Sequence, residues 1–171
     1  QLEAMRAEFP KIIPIMSTVS YETDTRFGTA ADFRARLESA CGQPIIHTIA
    51  QAEPIGPKKL LDVLVIAPCT GNTLAKLANG IADTPVTLAA KAHLRNERPI
   101  VIAVSTNDAL AGNAENIGKL LARGHYFFVP MRQDNAIKKP RSVVADFTRL
   151  PETIRAALNG EQIQPILAAP A

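Results

Sequence analysis

The sequence has no tryptophan, and aromatic residues of every kind fill only 5% of its 171 positions. A core of this size must be built from Ala, Val, Ile and Leu, the make-up of buried parallel sheets. Cysteine is almost missing. Cys41 and Cys69 are the only two, too few for a disulfide framework, and a reducing cytoplasm is the expected compartment. No apolar run approaches the roughly 20 residues of a membrane-spanning helix, and no secretory signal is visible. There is no internal repeat and no low-complexity segment. No Gly-x-Gly-x-x-Gly run occurs, so the chain carries no nicotinamide-binding fingerprint of its own. Nor is there a strong excess of either charge, the net value being +3. The densest basic cluster, Lys138, Lys139 and Arg141, has a proline inside it and no flanking aromatics. It reads as a solvated loop rather than a nucleic-acid patch.

What is present alternates. Gln1 to Glu8 reads as the end of a helix and Ile12 to Met16 as a short strand. Thr29 to Ala40 is amphipathic, with Phe33, Leu37 and Ala40 at helical spacing and Gly42 as its stop. Pro44 to Ala50 is a weak strand, and Glu53 to Pro57 a turn. Asp62 to Ala67 and Pro99 to Ser105 are apolar without alternation, the pattern of strands buried on both faces. Helices are expected over Gly71–Asn79, from Pro85 to about Arg95, over Asn113–Arg123 and over Pro151–Leu158. Tyr126 to Val129 reads as a strand and Asp134 to Arg141 as a polar loop. Strands that alternate with helices predict βαβ units, a parallel sheet and helices on both faces. The 171 residues suit one domain. A domain of this kind normally starts with a strand and a phosphate-binding turn. This chain starts inside the helix that would follow, so a first strand and glycine-rich loop are expected before Gln1.

Ligands in such sheets sit beyond the carboxyl ends of the strands. The three best strands end in Met16-Ser17-Thr18, Ala67-Pro68-Cys69-Thr70 and Val104-Ser105-Thr106-Asn107. All three ends are small and rich in hydroxyls or amides, which suits a crevice lined with hydrogen-bonding groups. Helix capping is the alternative for each, because Ser, Thr and Asn favour that position too.

The run APCTGNTLAKLANGIAD, Ala67 to Asp83, resembles the signature of the flavin-mononucleotide-binding flavoproteins, which include cysteine decarboxylases and flavin prenyltransferases. Pro68, Asn72, Thr73, Lys76, Leu77, Ala78, Gly80, Ala82 and Asp83 match it, while Cys69, Thr70 and Gly71 depart from it. TDTRFG (Thr23 to Gly28), AEPIGPKKLLDVLVIAPCTGNT (Ala52 to Thr73), AAKAHLRNERPIVIAVSTNDAL (Ala89 to Leu110) and FFVPMRQDNAIKKPRSVVADF (Phe127 to Phe147) are similar to the dipicolinate synthase B-subunit branch of that family. So is the tail Leu150 to Leu167.

The resemblance implies a three-layer α/β/α, Rossmann-like (flavodoxin-like) doubly wound parallel sheet. It implies a sporulation enzyme in the mother-cell cytoplasm that oxidises a dihydrodipicolinate-type precursor. It implies an A-subunit partner carrying NAD(P), a small dicarboxylate substrate, and homo-oligomers in trimers or multiples of them. It makes FMN the cofactor, with Ser17, Thr18, Pro68, Cys69, Thr70, Gly71, Asn72, Thr73, Asp83, Ser105, Thr106 and Asn107 as the binding set. In that set Pro68 stiffens the strand exit and Gly71 lets the backbone approach a planar ring. Asn72 offers a donor and an acceptor to the ring's polar edge. Thr73 and the first amides of the 71–79 helix suit an anion or carbonyl oxygen. Ser17 and Thr18 face the phosphate and ribityl side. The decarboxylases carry a Met-Asn pair where this chain has Ser105-Thr106-Asn107-Asp108, which argues against decarboxylation.

Three functions therefore compete: a synthase subunit that needs a partner, a stand-alone flavin decarboxylase, and a binding or scaffolding subunit that has lost flavin. No acid–base pair declares itself, so the catalytic residues are unassigned. Cys69 reads as small and inert, since no histidine is near it in sequence. His47, His93 and His125 lack metal-ligand spacing and read as surface or capping residues. Asp83 has helix capping as its alternative. Arg26 is either a partner for a substrate carboxylate or an ordinary surface arginine.

Overall fold

The computed structural model describes residues 2–169. In chain order the helices are α1 (Leu2–Arg6), α2 (Thr18–Glu22), α3 (Ala30–Cys41), α4 (Ile49–Ala52), α5 (Gly71–Ala78), α6 (Pro85–Leu94), α7 (Ala114–Leu121) and α8 (Leu150–Leu158). The strands are β1 (Leu64–Cys69), β2 (Ile100–Thr106), β3 (Tyr126–Phe128), β4 (Met131–Asn135) and β5 (Lys139–Ala145). The expected helix at the start is present as α1, Gln1 lying outside the described residues.

β2 is the centre of the sheet. Leu64, Val65 and Ile66 of β1 pair in parallel with Ile100, Val101 and Ile102, and Tyr126, Phe127 and Phe128 of β3 pair in parallel with the same three residues. Alternate side chains then go to opposite faces. Leu64, Ile66, Ile100, Ile102, Val104, Tyr126 and Phe128 join one apolar cluster with Leu74 and Leu77 of α5, Ala89 of α6 and Leu120 of α7. Val101, Ala103, Phe127 and Val129 join a second with Leu150, Ile154 and Ala157 of α8. These two layers explain the unbroken apolar runs, because each strand has helices on both sides. Fully burying such a side chain contributes roughly 1.5–3 kcal/mol.

The helix boundaries follow local chemistry. Thr29 accepts a hydrogen bond from the Asp32 amide at the start of α3, and Gly42 closes that helix at φ 64°. Thr84 and Thr87 form a reciprocal capping box at α6, with Pro85 in the first turn.

The sheet departs from the sequence expectation in two places. First, it is mixed. Asp134 to Arg141 is not a polar loop, because its two ends are strands of an antiparallel hairpin in which Arg132 faces Val144 and Asn135 faces Lys139. That hairpin joins the end of β2, with Ser105 opposite Val144 and Thr106 opposite Val143. Second, the Ile12–Met16 and Pro44–Ala50 stretches contribute only an isolated parallel bridge between Ile15 and Ile46. Pro10, Pro14 and Pro44 remove the amide donors a longer ladder would need. Their apolar side chains still serve the core, since Ile15 and Ile46 both pack against the first cluster.

His93 is a further correction. It is neither a surface nor a capping residue. Its ring is 1% exposed, and Nε2 lies 3.0 Å from the Pro99 carbonyl. A carbonyl only accepts, so Nε2 carries the proton and ties α6 to the start of β2.

Candidate functional site

Parallel pairing of β1 with β2 sets their two carboxyl ends side by side. Cys69 faces Val104, after an irregularity that begins beyond Ile66. The Ala67–Pro68 peptide is cis. The chain then turns at Thr70 straight into α5, whose first turn has no side-chain cap. Thr70 and Asn72 are exposed and Thr73 is half-buried. The Thr70 and Thr73 hydroxyls lie 3.4 Å apart. The first amides of α5, two threonine hydroxyls and the Asn72 carboxamide thus form one accessible donor and acceptor set.

Gly71 sits on the inner side of this turn and is buried. A Cβ placed there would lie 2.5 Å from Asn113 Nδ2, 2.8 Å from Asp108 Oδ1 and 2.8 Å from Thr106 Oγ1. That side of Gly71 is therefore occupied by the protein's own polar atoms. Asp108 organises them. Thr106 Oγ1 donates to Asp108 Oδ1 at 2.6 Å, Asn113 Nδ2 donates to Oδ2 at 2.7 Å, and Asn116 Nδ2 donates to Asn113 Oδ1 at 3.0 Å. The Thr106 hydrogen bond, then that of Asn113, holds the Asp108 carboxyl below its ordinary range.

Asn107 lies on the other side of the β2 exit. Continuing the antiparallel register places it opposite Ser142, whose Oγ donates to Asn107 Oδ1 at 3.4 Å. A cavity of about 300 Å³ opens there, lined by Asn107, Lys139, Pro140, Arg141 and Ser142.

The structure thus brings Pro68, Cys69, Thr70, Gly71, Asn72, Thr73, Ser105, Thr106 and Asn107 together at two adjacent strand exits. Within that group Cys69 is fully buried, and burial pushes its thiol up to about 12, the state of an inert side chain. Ser17 and Thr18 stand at the end of the Ile15 bridge, where Ser17 accepts a hydrogen bond from the Ser20 amide and caps α2. No hydrogen bond among the described residues ties them to the β1–β2 exits. Asp83 is not brought to the site. It lies past the opposite end of α5, accepting from Lys76 Nζ at 2.8 and 2.9 Å. Thr84, not Asp83, caps α6.

Arg26 lies in an exposed tight turn, its guanidinium 4.7 Å from the centre of the Phe27 ring. Asp108, Asn113 and Ser142 stand at these exits without having been assigned to the binding set from the sequence, and Lys139 and Arg141, read there as part of a solvated loop, lie beside Asn107. Asn113 had a signal, since it opens a helix, but nothing local links it to Gly71. The described residues hold no cluster of His, Cys, Asp and Glu suited to a metal ion. No described helix is long and apolar enough to cross a membrane.

An uncapped helix start set beyond the carboxyl ends of parallel strands is where open, doubly wound α/β proteins take their ligands. The Flavoprotein family model matches residues 16–158, and the chain belongs to that family. Within it, the chain is 46% identical over 167 residues to the dipicolinate synthase B subunit of Bacillus subtilis (strain 168), covering 98% of this chain and 84% of the relative. The crystal structure of the dipicolinate synthase B subunit from Bacillus halodurans C superposes with a TM-score of 0.88 at 43% identity, covering 98% of this chain and 88% of that one. The FMN-dependent cysteine decarboxylase SpaF is more distant, with a TM-score of 0.55 at 27% identity over 72% of this chain and 71% of its own.

The donor set fits a flavin only in part. Thr70, Asn72, Thr73 and the first amides of α5 match the polar edge of an isoalloxazine. The Cβ side of Gly71 is taken by Asn113, Asp108 and Thr106 and offers a ring no room there.

Proposed function

We infer that this chain is the B subunit of a two-subunit dipicolinate synthase. Paired with an A subunit that holds NAD(P), it oxidises a dihydrodipicolinate-type dicarboxylate to the aromatic acid during sporulation, in the cytoplasm of the mother cell and as a homo-oligomer. The observation that carries the reading is near-complete coverage at 46% identity by a relative bearing that name. The exposed hydrogen-bonding groups at Thr70–Thr73 support a cofactor position there, and FMN bound there would supply a two-electron carrier between the dihydro acid and NAD(P). Asn72 would fix the ring edge, the α5 amides would stabilise charge on its carbonyl oxygens, and buried Cys69 would keep the strand exit rigid without reacting.

The test is a flavin titration of the purified chain followed by gel filtration, and then turnover with the A subunit. The expected result is co-elution of flavin absorbance with the protein, at least tenfold weaker binding in Asn72→Ala, and dipicolinate formation only when both subunits are present. Turnover by the isolated chain overturns the two-subunit reading. Absence of co-eluting flavin overturns the cofactor assignment and leaves a binding or scaffolding subunit.

A further inference from the structure

The hairpin of β4 and β5 reaches past the sheet it belongs to. β5 runs antiparallel to β2 and pairs with it at Ser105–Val144 and Thr106–Val143. Lys139 to Ser142 therefore continue beyond the end of β2, by up to about 13 Å at the rise of an extended strand. The tip, Ala136 to Lys138, joins the two strands farther out again. Its central residue, Ile137, is 93% exposed, the highest value among the exposed large apolar side chains of the described residues.

A single exposed apolar side chain is ordinary on a protein surface. This one is held out in a fixed shape. Asn135 Oδ1 accepts from the Ile137 and Lys138 amides at 3.1 and 2.7 Å. Gln133 Nε2 donates to the Pro140 carbonyl at 2.9 Å, and Lys139 Nζ meets Asp134 at 2.6 Å. An anchor ordered in advance loses little entropy when it enters a pocket.

Charge narrows the choice of pocket. Met131 to Ala145 carries Arg132, Lys138, Lys139 and Arg141 against one carboxylate, Asp134. Lys138 and Arg141 form no ion pair among the described residues. Tip against tip, two copies would set these cations against each other, and the whole chain is net positive at +3. A second copy is therefore the poorer match. The complementary surface is an apolar pocket rimmed with carboxylates.

We propose that the hairpin tip is the docking arm for the A subunit, with Ile137 entering an apolar pocket there and Lys138 and Arg141 facing carboxylates at its rim. The identity of the partner rests on the proposed synthase role. That role also calls for contact at this end of the sheet. Electrons pass between Thr70–Thr73 and NAD(P) on the partner only if the partner covers the strand exits, and the arm projects from that end.

The experiment is calorimetric titration of the full chain with purified A subunit at low and moderate salt, with light scattering of the full chain alone. The expected result is association that weakens as salt rises. Ile137→Ser is expected to weaken it roughly tenfold or more, with an unchanged thermal midpoint. Lys138→Glu is expected to weaken it and to make it less sensitive to salt. Leu121→Ser, at an exposed apolar position at the closing end of α7, is expected to leave it unchanged. Equal affinity of wild type and Ile137→Ser for the A subunit overturns the docking arm and leaves the two-subunit reading standing. Equal weakening by Leu121→Ser also overturns the arm, since any exposed apolar residue would then serve. Absence of association by the wild-type chain overturns the two-subunit reading and the arm together. A lower mass of the isolated Ile137→Ser chain overturns the choice of partner, because the tip would then join copies of this chain.

Discussion

Gly71→Ala is the sharpest test of the strand-exit geometry. The added methyl would meet Asn113 Nδ2 at 2.5 Å and two oxygens, of Asp108 and Thr106, at 2.8 Å. These are well inside van der Waals contact, so at least one neighbour must move. Asp108 and Thr106 have room at the surface, but the closest atom belongs to Asn113, which is only 6% exposed and is held by bonds to both Asp108 and Asn116. Relief therefore breaks at least the Asn113–Asp108 hydrogen bond. A bond to a charged group contributes about 1.5–3 kcal/mol, and forced overpacking adds about 1–3 kcal/mol. Alanine's better helix propensity returns no more than about 1 kcal/mol. The net expectation is about 2–4 kcal/mol of destabilisation. For a chain of this size that lowers Tm by roughly 4–16 °C. Differential scanning calorimetry or urea unfolding measures it. The cause is isolated by repeating the substitution in an Asn113→Ala background, where the closest clash is gone and the penalty is expected to fall by about half. A Tm within a degree or two of wild type, or an equal penalty in both backgrounds, refutes the close approach of the β1–α5 turn to α7.

Four other outcomes are expected. Asp108 titrates below its ordinary range in the folded chain, so its stabilising contribution is complete above the unfolded carboxylate pKa and fades as pH falls through the lower folded value. Asp108→Asn is expected to flatten the acid limb of a stability–pH curve, and an unchanged limb counts against the network. His93 is buried and its pKa is pushed down by desolvation, so stability is full above the ordinary histidine value near 6.5 and declines as pH drops below it. His93→Gln is expected to shrink that decline in urea midpoints taken between neutral and mildly acid pH. The Arg123 guanidinium donates to the Leu77 and Ala78 carbonyls at 3.2 and 2.8 Å, closing α5 from the end of α7. Arg123→Ala is expected to cost about 1–2 kcal/mol, and an unmoved denaturation midpoint contradicts that role. Cys69, with its thiol raised to about 12, is expected to resist aromatic disulfide reagents in the native state and to label fully in denaturant; rapid native labelling at this position rules out the inert reading.

The strands could be read where the physics was local. Val63 to Ile66 and Ile100 to Val104 are apolar at every position, and only a strand covered on both faces uses such a run. The two apolar clusters, split by odd and even positions of β2, bear this out. The hairpin was not legible for the opposite reason. Arg132 to Lys139 is polar on both faces, and Lys139, Pro140 and Arg141 look like loop residues. Their strand form comes from pairing with Ser105 and Thr106 through Val143 and Val144, a contact between residues far apart in the chain. Charged residues and proline also suit the outer part of a sheet, where they discourage further pairing. Ile12–Met16 failed in the other direction. Its apolar side chains signalled burial correctly, but proline at positions 10 and 14 left too few donors for more than one bridge.

At the site, the strand exits were legible in the sequence pattern, whereas the polar side chains that crowd the Cβ side of Gly71 were not. A glycine at a strand-to-helix turn signals close approach without saying to what. The answer lay with Asp108 and Asn113, which reach Gly71 only because β1 and β2 are adjacent and parallel. The place of Asp83 likewise depends on a contact beyond its own turn. Its match to the family motif is real, yet the structure pairs it with Lys76, another matched residue, at the remote end of α5. Those matches therefore divide into two groups. Asn72 is exposed and Thr73 half-buried in the first turn of α5. Lys76 and Asp83 fasten the helix that presents them. The turn itself has a locked inner side, where Thr106, Asp108 and Asn113 press on Gly71, and an open outer side at Thr70 and Asn72. A rigid inner side allows exposed groups to hold a fixed geometry without losing ordering entropy at each binding event. That division makes separate demands on the two sides: substitutions at Gly71 or Asp108 should act first on stability, and substitutions at Thr70 or Asn72 first on ligand affinity.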